Sequence, residues 1–254
     1  MKKIYQSEWH AIPFKTFSKP SSSKMADASF YSSFYKAFFE KYKKWDDLDR
    51  EWMDLKRQVG SFIVDRHSED KDGRILSIGC GLGVVEKVLI DAGFNNLEVT
   101  EVSQDPLRWI LPHIAAERAH IGLFPECLPN DRLYRCIYLS AAEYFFNQEQ
   151  LSDVLKSVKR YLLPGGTCLM ISVSFDFEKN ADSLIKKIAK PAKDLAVSIF
   201  DALGIKERGQ FWGYLRNRHD FDRVMKAAGF PRISEGFLEK KTRWDVYWCE
   251  GVNA

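Results

Sequence analysis

The chain has little net charge and no long hydrophobic run. Its 38 Lys and Arg against 35 Asp and Glu leave a formal charge of +3, too small to mark a surface built for nucleic acid. No stretch approaches the ~18 consecutive apolar residues of a membrane span. The N-terminal M-K-K-I-Y-Q-S-E-W-H carries basic residues with no apolar segment behind them, so no secretory leader is expected. The five cysteines, Cys80, Cys127, Cys136, Cys168 and Cys249, form no C-x-x-C pair, which argues against disulfides and structural zinc and suits reduced thiols. No two of the five histidines, His10, His67, His113, His120 and His219, have the spacing of a helical metal pair. No internal repeat is present. What remains is a protein expected in the cytoplasm, with no nucleic-acid partner, no membrane insertion and no metal expected.

An apolar fraction of 45% over 254 residues is ample for a continuous core. The basic runs at 186–193 and at Lys240, Lys241 and Arg243 read as solvated faces. Residues 18–24, S-K-P-S-S-S-K, form a loop before an aromatic-rich segment in which Phe30, Phe34, Ala37, Phe38 and Lys41 fall at helical spacing. A second helix is expected over 48–65. From residue 74 onward strands and helices alternate, the mark of a parallel sheet covered on both faces. Strands are expected at 75–78, 97–101, 120–124, 135–140 and 167–173, with helices starting near Val84, Pro106 and Gln148. The last of these stops at L-L-P-G-G, Leu162 to Gly166. An insertion at about 175–215 holds a helix around 184–203. A helix over 221–228 and strands at 232–238 and 243–250 close the chain.

The segment richest in information is R-I-L-S-I-G-C-G-L-G-V-V-E, Arg74 to Glu86, a short strand running into a glycine-dense turn and then a helix. Gly79, Gly81 and Gly83 leave room for a ligand against bare backbone. A second strand ends at Glu101, which places a carboxylate beside the turn if the two strands pair in parallel. A dinucleotide fingerprint needs a small residue three after Gly81, where this chain has Val84. The pattern instead resembles the first motif of the class I S-adenosylmethionine (SAM)-dependent methyltransferases, of the kind found among bacterial small-molecule and sugar methyltransferases. L-L-P-G-G and the closing hairpin are similar to that family as well.

The resemblance implies a doubly wound α/β fold with a mostly parallel seven-stranded, Rossmann-like sheet, an antiparallel C-terminal hairpin and an N-terminal helical cap. Residues 1–73 would be the cap, and 74–254 the SAM-binding core with the insertion. By the same resemblance Gly79, Gly81 and Gly83 pass the methionyl part of SAM, and Glu101 binds the ribose hydroxyls. Phe124 and Glu126 both stand where an adenine-side residue is expected. Ser77 replaces the acidic residue that the family carries two before the first glycine, with Glu143 as the carboxylate to supply the missing charge. Glu143 and Tyr144 follow the fourth strand of the core, at the donor end of the site; helix capping and aromatic packing are their structural alternatives. His219 is the expected general base, although N-R-H-D also reads as a helix start. Tyr31, Tyr35 and Tyr214 have hydroxyls suited to a pocket, and Arg216, with Lys24 and Arg218, would pair an anionic acceptor.

The function implied is SAM-dependent O-methylation of a small sugar-like or phosphorylated acceptor, an intermediate of surface-glycan or secondary-metabolite chemistry. Neither the Asp/Asn-Pro-Pro-Tyr/Phe motif of DNA amino-methylating enzymes nor the metal site of catechol-type enzymes is present. N-methylation of a small amine and a non-catalytic SAM-binding scaffold are the alternatives, the second suggested by Ser77.

Overall fold

The computed structural model describes residues 1–173, 209–242 and 244–253. The expected helix at 184–203, the basic run at 186–193 and Arg243 lie outside the described residues. The chain begins with β1 (Lys2–Gln6), α1 (Ala28–Lys41) and α2 (Arg50–His67). Then come β2 (Ile75–Ile78), α3 (Val84–Asp91), β3 (Leu97–Glu101), β4 (Ala119–Ile121) and β5 (Tyr134–Ser140). The remainder is α4 (Gln148–Tyr161), β6 (Leu162–Val173), β7 (Gln210–Leu215), α5 (Arg218–Ala227), β8 (Arg232–Phe237) and β9 (Val246–Val252).

Seven strands form one sheet in the order β8-β9-β6-β5-β2-β3-β4. Strands β4, β3, β2, β5 and β6 pair in parallel, whereas β9 runs antiparallel between β6 and β8. All four residues of β2 are buried because alternate side chains face opposite helical layers. Ile75 packs with Leu55, Val59 and Ile63 of α2 and Val85 and Leu89 of α3. Leu76 and Ile78 pack on the other face with Leu151, Leu155 and Val158 of α4 and Phe221 and Val224 of α5. The chain is therefore doubly wound, as its alternation of elements implied.

Helix starts follow capping chemistry. Asp27 accepts from the Phe30 amide and Asp49 from the Trp52 amide, and Asn147 with Gln150 and Asn217 with Asp220 form reciprocal capping boxes. The helix expected after Pro106 is instead three short 3-10 turns, Asp105–Trp109, Leu111–His113 and Ala116–Arg118. Pro112 removes a backbone donor and disfavours helix at the residue before it. The strand expected at 120–124 ends at Ile121, where Gly122 takes φ +137°.

The boundary anticipated at residue 73 falls between α2 and β2, and the packing runs across it. Helix α2 lies on α3 and the sheet, and β1 pairs antiparallel with β7, at the end of the anticipated insertion. The aromatic residues of α1, Phe30, Phe34 and Phe38, form one cluster with Phe14, Leu82, Val84 and Trp212. This roof closes over the C-terminal ends of β2 and β3.

Candidate active site

The glycine turn has a different reason for each glycine. Gly79, Gly81 and Gly83 all take left-handed φ, at +69°, +56° and +72°, a region that disfavours side chains. A Cβ on Gly79 would meet the Ala142 Cβ at 2.9 Å, and one on Gly83 would meet the Ile110 Cβ at 2.4 Å, whereas one on Gly81 would enter open space. Gly81 is thus the glycine whose missing side chain leaves room in the cavity. Its amide donates to Glu101 Oε2 at 2.9 Å, and the Val102 amide donates to Oε1 at 2.9 Å. Burial raises the Glu101 carboxyl above its ordinary range, and these two amide bonds oppose the rise.

Above the turn lies a cavity of about 1040 Å³, at the top of the range usual for small-molecule sites. It opens beside β2, between β3 and β5, where the strand order switches direction, the usual ligand crevice of such sheets. Gly79, Gly81, Gly83, Glu101, Phe124, Tyr31, Tyr35 and Tyr144, all anticipated, line it. The roof approaches closely: a Cβ on Gly213 of β7 would fall 2.5 Å from the Tyr144 carbonyl oxygen.

The other anticipated residues lie elsewhere. His219 is exposed in the first turn of α5 and Glu126 is exposed beyond β4. Neither lines the cavity, and Lys24, Tyr214 and Arg218 are likewise absent from its described lining. Arg216 is 2% exposed and donates to the Glu143 carbonyl at 2.8 Å and to the Phe146 carbonyl, bracing the loop after β5; it is absent from the described lining. Glu143 is buried behind the wall, with burial raising its carboxyl. Ser77 is also behind the wall, donating to Glu86 at 2.6 Å.

Among the lining residues that escaped the sequence reading are Glu86, Lys56 and His10. Glu86 leaves a sequence signal, a carboxylate within the apolar first turn of α3. His10 leaves none, because its place depends on strained backbone: His10 and Ala11 take φ +47° and +51°. The Tyr42 hydroxyl donates to the His10 carbonyl at 2.7 Å and Lys41 Nζ to the Ala11 carbonyl at 2.8 Å, holding that turn. The imidazole lies between Trp9 and Trp52, each 4.8 Å away between ring centroids. Burial, reinforced by Lys56, lowers its pKa to about 4, so it is neutral at pH 7. Its Nε2 is buried without a partner.

A family profile described as a methyltransferase domain matches residues 45–235, well over half of the chain. The chain belongs to the SAM-dependent methyltransferase family. It is 27% identical over 158 residues to an uncharacterized methyltransferase of Staphylococcus carnosus, an alignment covering 59% of this chain and 74% of that protein. Among solved structures it resembles magnesium protoporphyrin IX methyltransferase of Synechocystis PCC 6803 with bound S-adenosylhomocysteine (SAH), with a TM-score of 0.60 and 12% identity over 90% of this chain and 100% of the other. It also resembles the SAM-dependent methyltransferase SibL, with a TM-score of 0.56 and 16% identity over 94% of this chain, which spans 64% of SibL. At these identities the likeness is one of fold. The methyltransferase site fits SAM on its own observations: the open space at Gly81, the Glu101 carboxylate fixed beside it, and an unpartnered buried carboxylate oxygen on Glu86. No helix among the described residues is long and apolar enough to cross a membrane.

Proposed function

We propose that the protein methylates an oxygen of a small, uncharged, ring-bearing acceptor. The observation that carries this reading is one cavity combining the Gly81–Glu101 cradle with an aromatic enclosure and a neutral, unpartnered imidazole. SAM supplies the methyl group on a sulfonium centre. Glu101, held by two amides, would accept hydrogen bonds from ribose hydroxyls. Trp9, Trp52, Tyr35 and Trp212 wall off water and offer ring faces to an acceptor. His10 Nε2 would take the hydroxyl proton as oxygen attacks, the role the sequence suggested for His219.

The lining supports a sugar-like or aromatic acceptor over a phosphorylated one. Among the described lining residues Lys56 is the sole Lys or Arg, whereas Glu8, Asp27, Asp49, Glu86 and Glu101 are acidic, a field that repels phosphate. The first experiment is calorimetric titration with SAH, with NADH as control. Micromolar SAH binding alone supports the reading, and its absence defeats it. In a subsequent acceptor screen, turnover of hydroxylated compounds that falls at least tenfold in His10→Gln and is kept in His219→Ala supports the base assignment. Equal turnover in His10→Gln defeats it.

A further inference from the structure

Glu86 is a carboxylate whose burial is only half explained. It is 1% exposed in the first turn of α3, and the Ser77 and Tyr138 hydroxyls donate to its Oε1 at 2.6 and 2.7 Å. The β2–β5 register sets Ser77 directly beside Tyr138, so the two donors form a clamp from neighbouring strands. Oε2 is buried with no partner, in a residue that lines the cavity. An unmet buried acceptor costs about 1–3 kcal/mol, and most buried polar atoms find a partner; Glu143 Oε2 is unpartnered too, but of the two carboxylates only Glu86 lines the cavity. Lys56 of α2 lines the same cavity. Its Nζ donates to the Ser140 hydroxyl at 3.5 Å and lies 5.7 Å from the Trp52 ring centroid. Its field is felt at both Glu86 and Glu143.

We propose that Glu86 and Lys56 form the receptor for the zwitterionic amino-acid end of SAM, Glu86 Oε2 taking the ammonium and Lys56 the carboxylate, with Ser77 and Tyr138 as positioning residues. The proposal rests on the SAM-dependent reading of the site. It also accounts for Ser77. A carboxylate at position 77 would lie against Glu86 as a like charge in a buried place, so the negative group has moved from strand to helix and the serine anchors it. Glu143, the carboxylate first expected to supply this charge, is excluded by position: it is absent from the lining, and Arg216 packs against its backbone.

The test compares calorimetric binding of SAH with that of 5′-methylthioadenosine, which keeps the nucleoside and lacks the amino-acid end. Glu86→Gln and Lys56→Met should each weaken SAH binding about tenfold or more, the range of a charge-assisted hydrogen bond, and leave methylthioadenosine binding within about twofold. Circular dichroism establishes that each variant is folded. Equal losses for both ligands would make Glu86 a structural residue and overturn the proposal, as would selective SAH loss in Glu143→Gln with none in Glu86→Gln. Wild-type protein that binds neither ligand would overturn the cofactor reading itself, and this assignment with it.

Discussion

The two ends of the parallel sheet hold buried carboxylates in opposite states. At the N-terminal end of β3, Glu98 is 3% exposed. Its Oε2 accepts from Arg132 at 2.6 Å and from the Tyr134 hydroxyl at 2.9 Å and lies 2.8 Å from His120 Nε2, while Arg74 stands 3.3 Å from Oε1. Burial alone would raise this carboxyl, but the bonds from His120, Arg132 and Tyr134 outweigh it and hold the group below the ordinary carboxylate range. At the C-terminal end, burial wins at Glu86, Glu101 and Glu143, and all three are raised. A satisfied buried charge stabilises the fold. Glu86, left partly unsatisfied beside the cavity, costs stability, and that cost is offset when a ligand arrives.

That contrast can be broken by substitution. Glu98→Ala leaves Arg132, Arg74 and His120 without their shared partner and should cost about 3 kcal/mol in chemical denaturation, with SAH affinity of the folded protein unchanged. Glu101→Ala should do the reverse, weakening SAH binding by about 2 kcal/mol in calorimetry while shifting the denaturation midpoint far less than Glu98→Ala. If the two variants lose stability equally, the division between the ends of the sheet is wrong.

Gly81→Ala sharpens the comparison within the turn. Its Cβ meets nothing in the protein, so the stability cost should be only the left-handed backbone, about 1–2 kcal/mol, whereas Gly83→Ala adds a clash with Ile110 and should cost more in the same denaturation experiment. Acid should separate the two ends further. The raised Glu86 and Glu101 carboxyls cost stability at neutral pH, a cost relieved as pH falls through their folded values, so their protonation removes SAH affinity while the fold persists. Glu98, being lowered, contributes stability that is present above the ordinary carboxylate value of about 4.3 and lost as pH falls through its folded value. SAH affinity should therefore decline at a higher pH than the circular dichroism signal.

His10 extends the comparison to the wall of the cavity. Lowered to about 4, it favours the fold fully above the unfolded histidine value of about 6.5, and that contribution is lost as pH falls toward 4. Stability measured between pH 6.5 and 4 should decline less steeply in His10→Phe than in the wild type. Identical slopes would remove His10 from the buried wall.

Much of the scaffold was legible because it is written locally. Apolar runs, the glycine turn and the capping residues Asn147 and Asn217 each act within a few positions of themselves. The helix after Pro106 failed on Pro112, a local signal that was outweighed by the expected alternation. Glu101 was legible because a parallel pair must deliver the end of one strand beside the turn that ends the other. The places of Arg216 and His219 were not legible for the opposite reason. They follow β7, whose pairing with β1 joins residues about two hundred positions apart.

The sequence by itself determined the doubly wound sheet, its glycine turn and the carboxylate at its edge, because strand periodicity and positive-φ glycines are properties of short stretches. Only the tertiary structure decided that Ser77 serves Glu86, that Glu143 stands behind the wall, and that Lys56 and His10 reach the cavity. Those outcomes depend on how burial and hydrogen bonding balance among side chains from separate elements, and that balance does not exist until the elements pack.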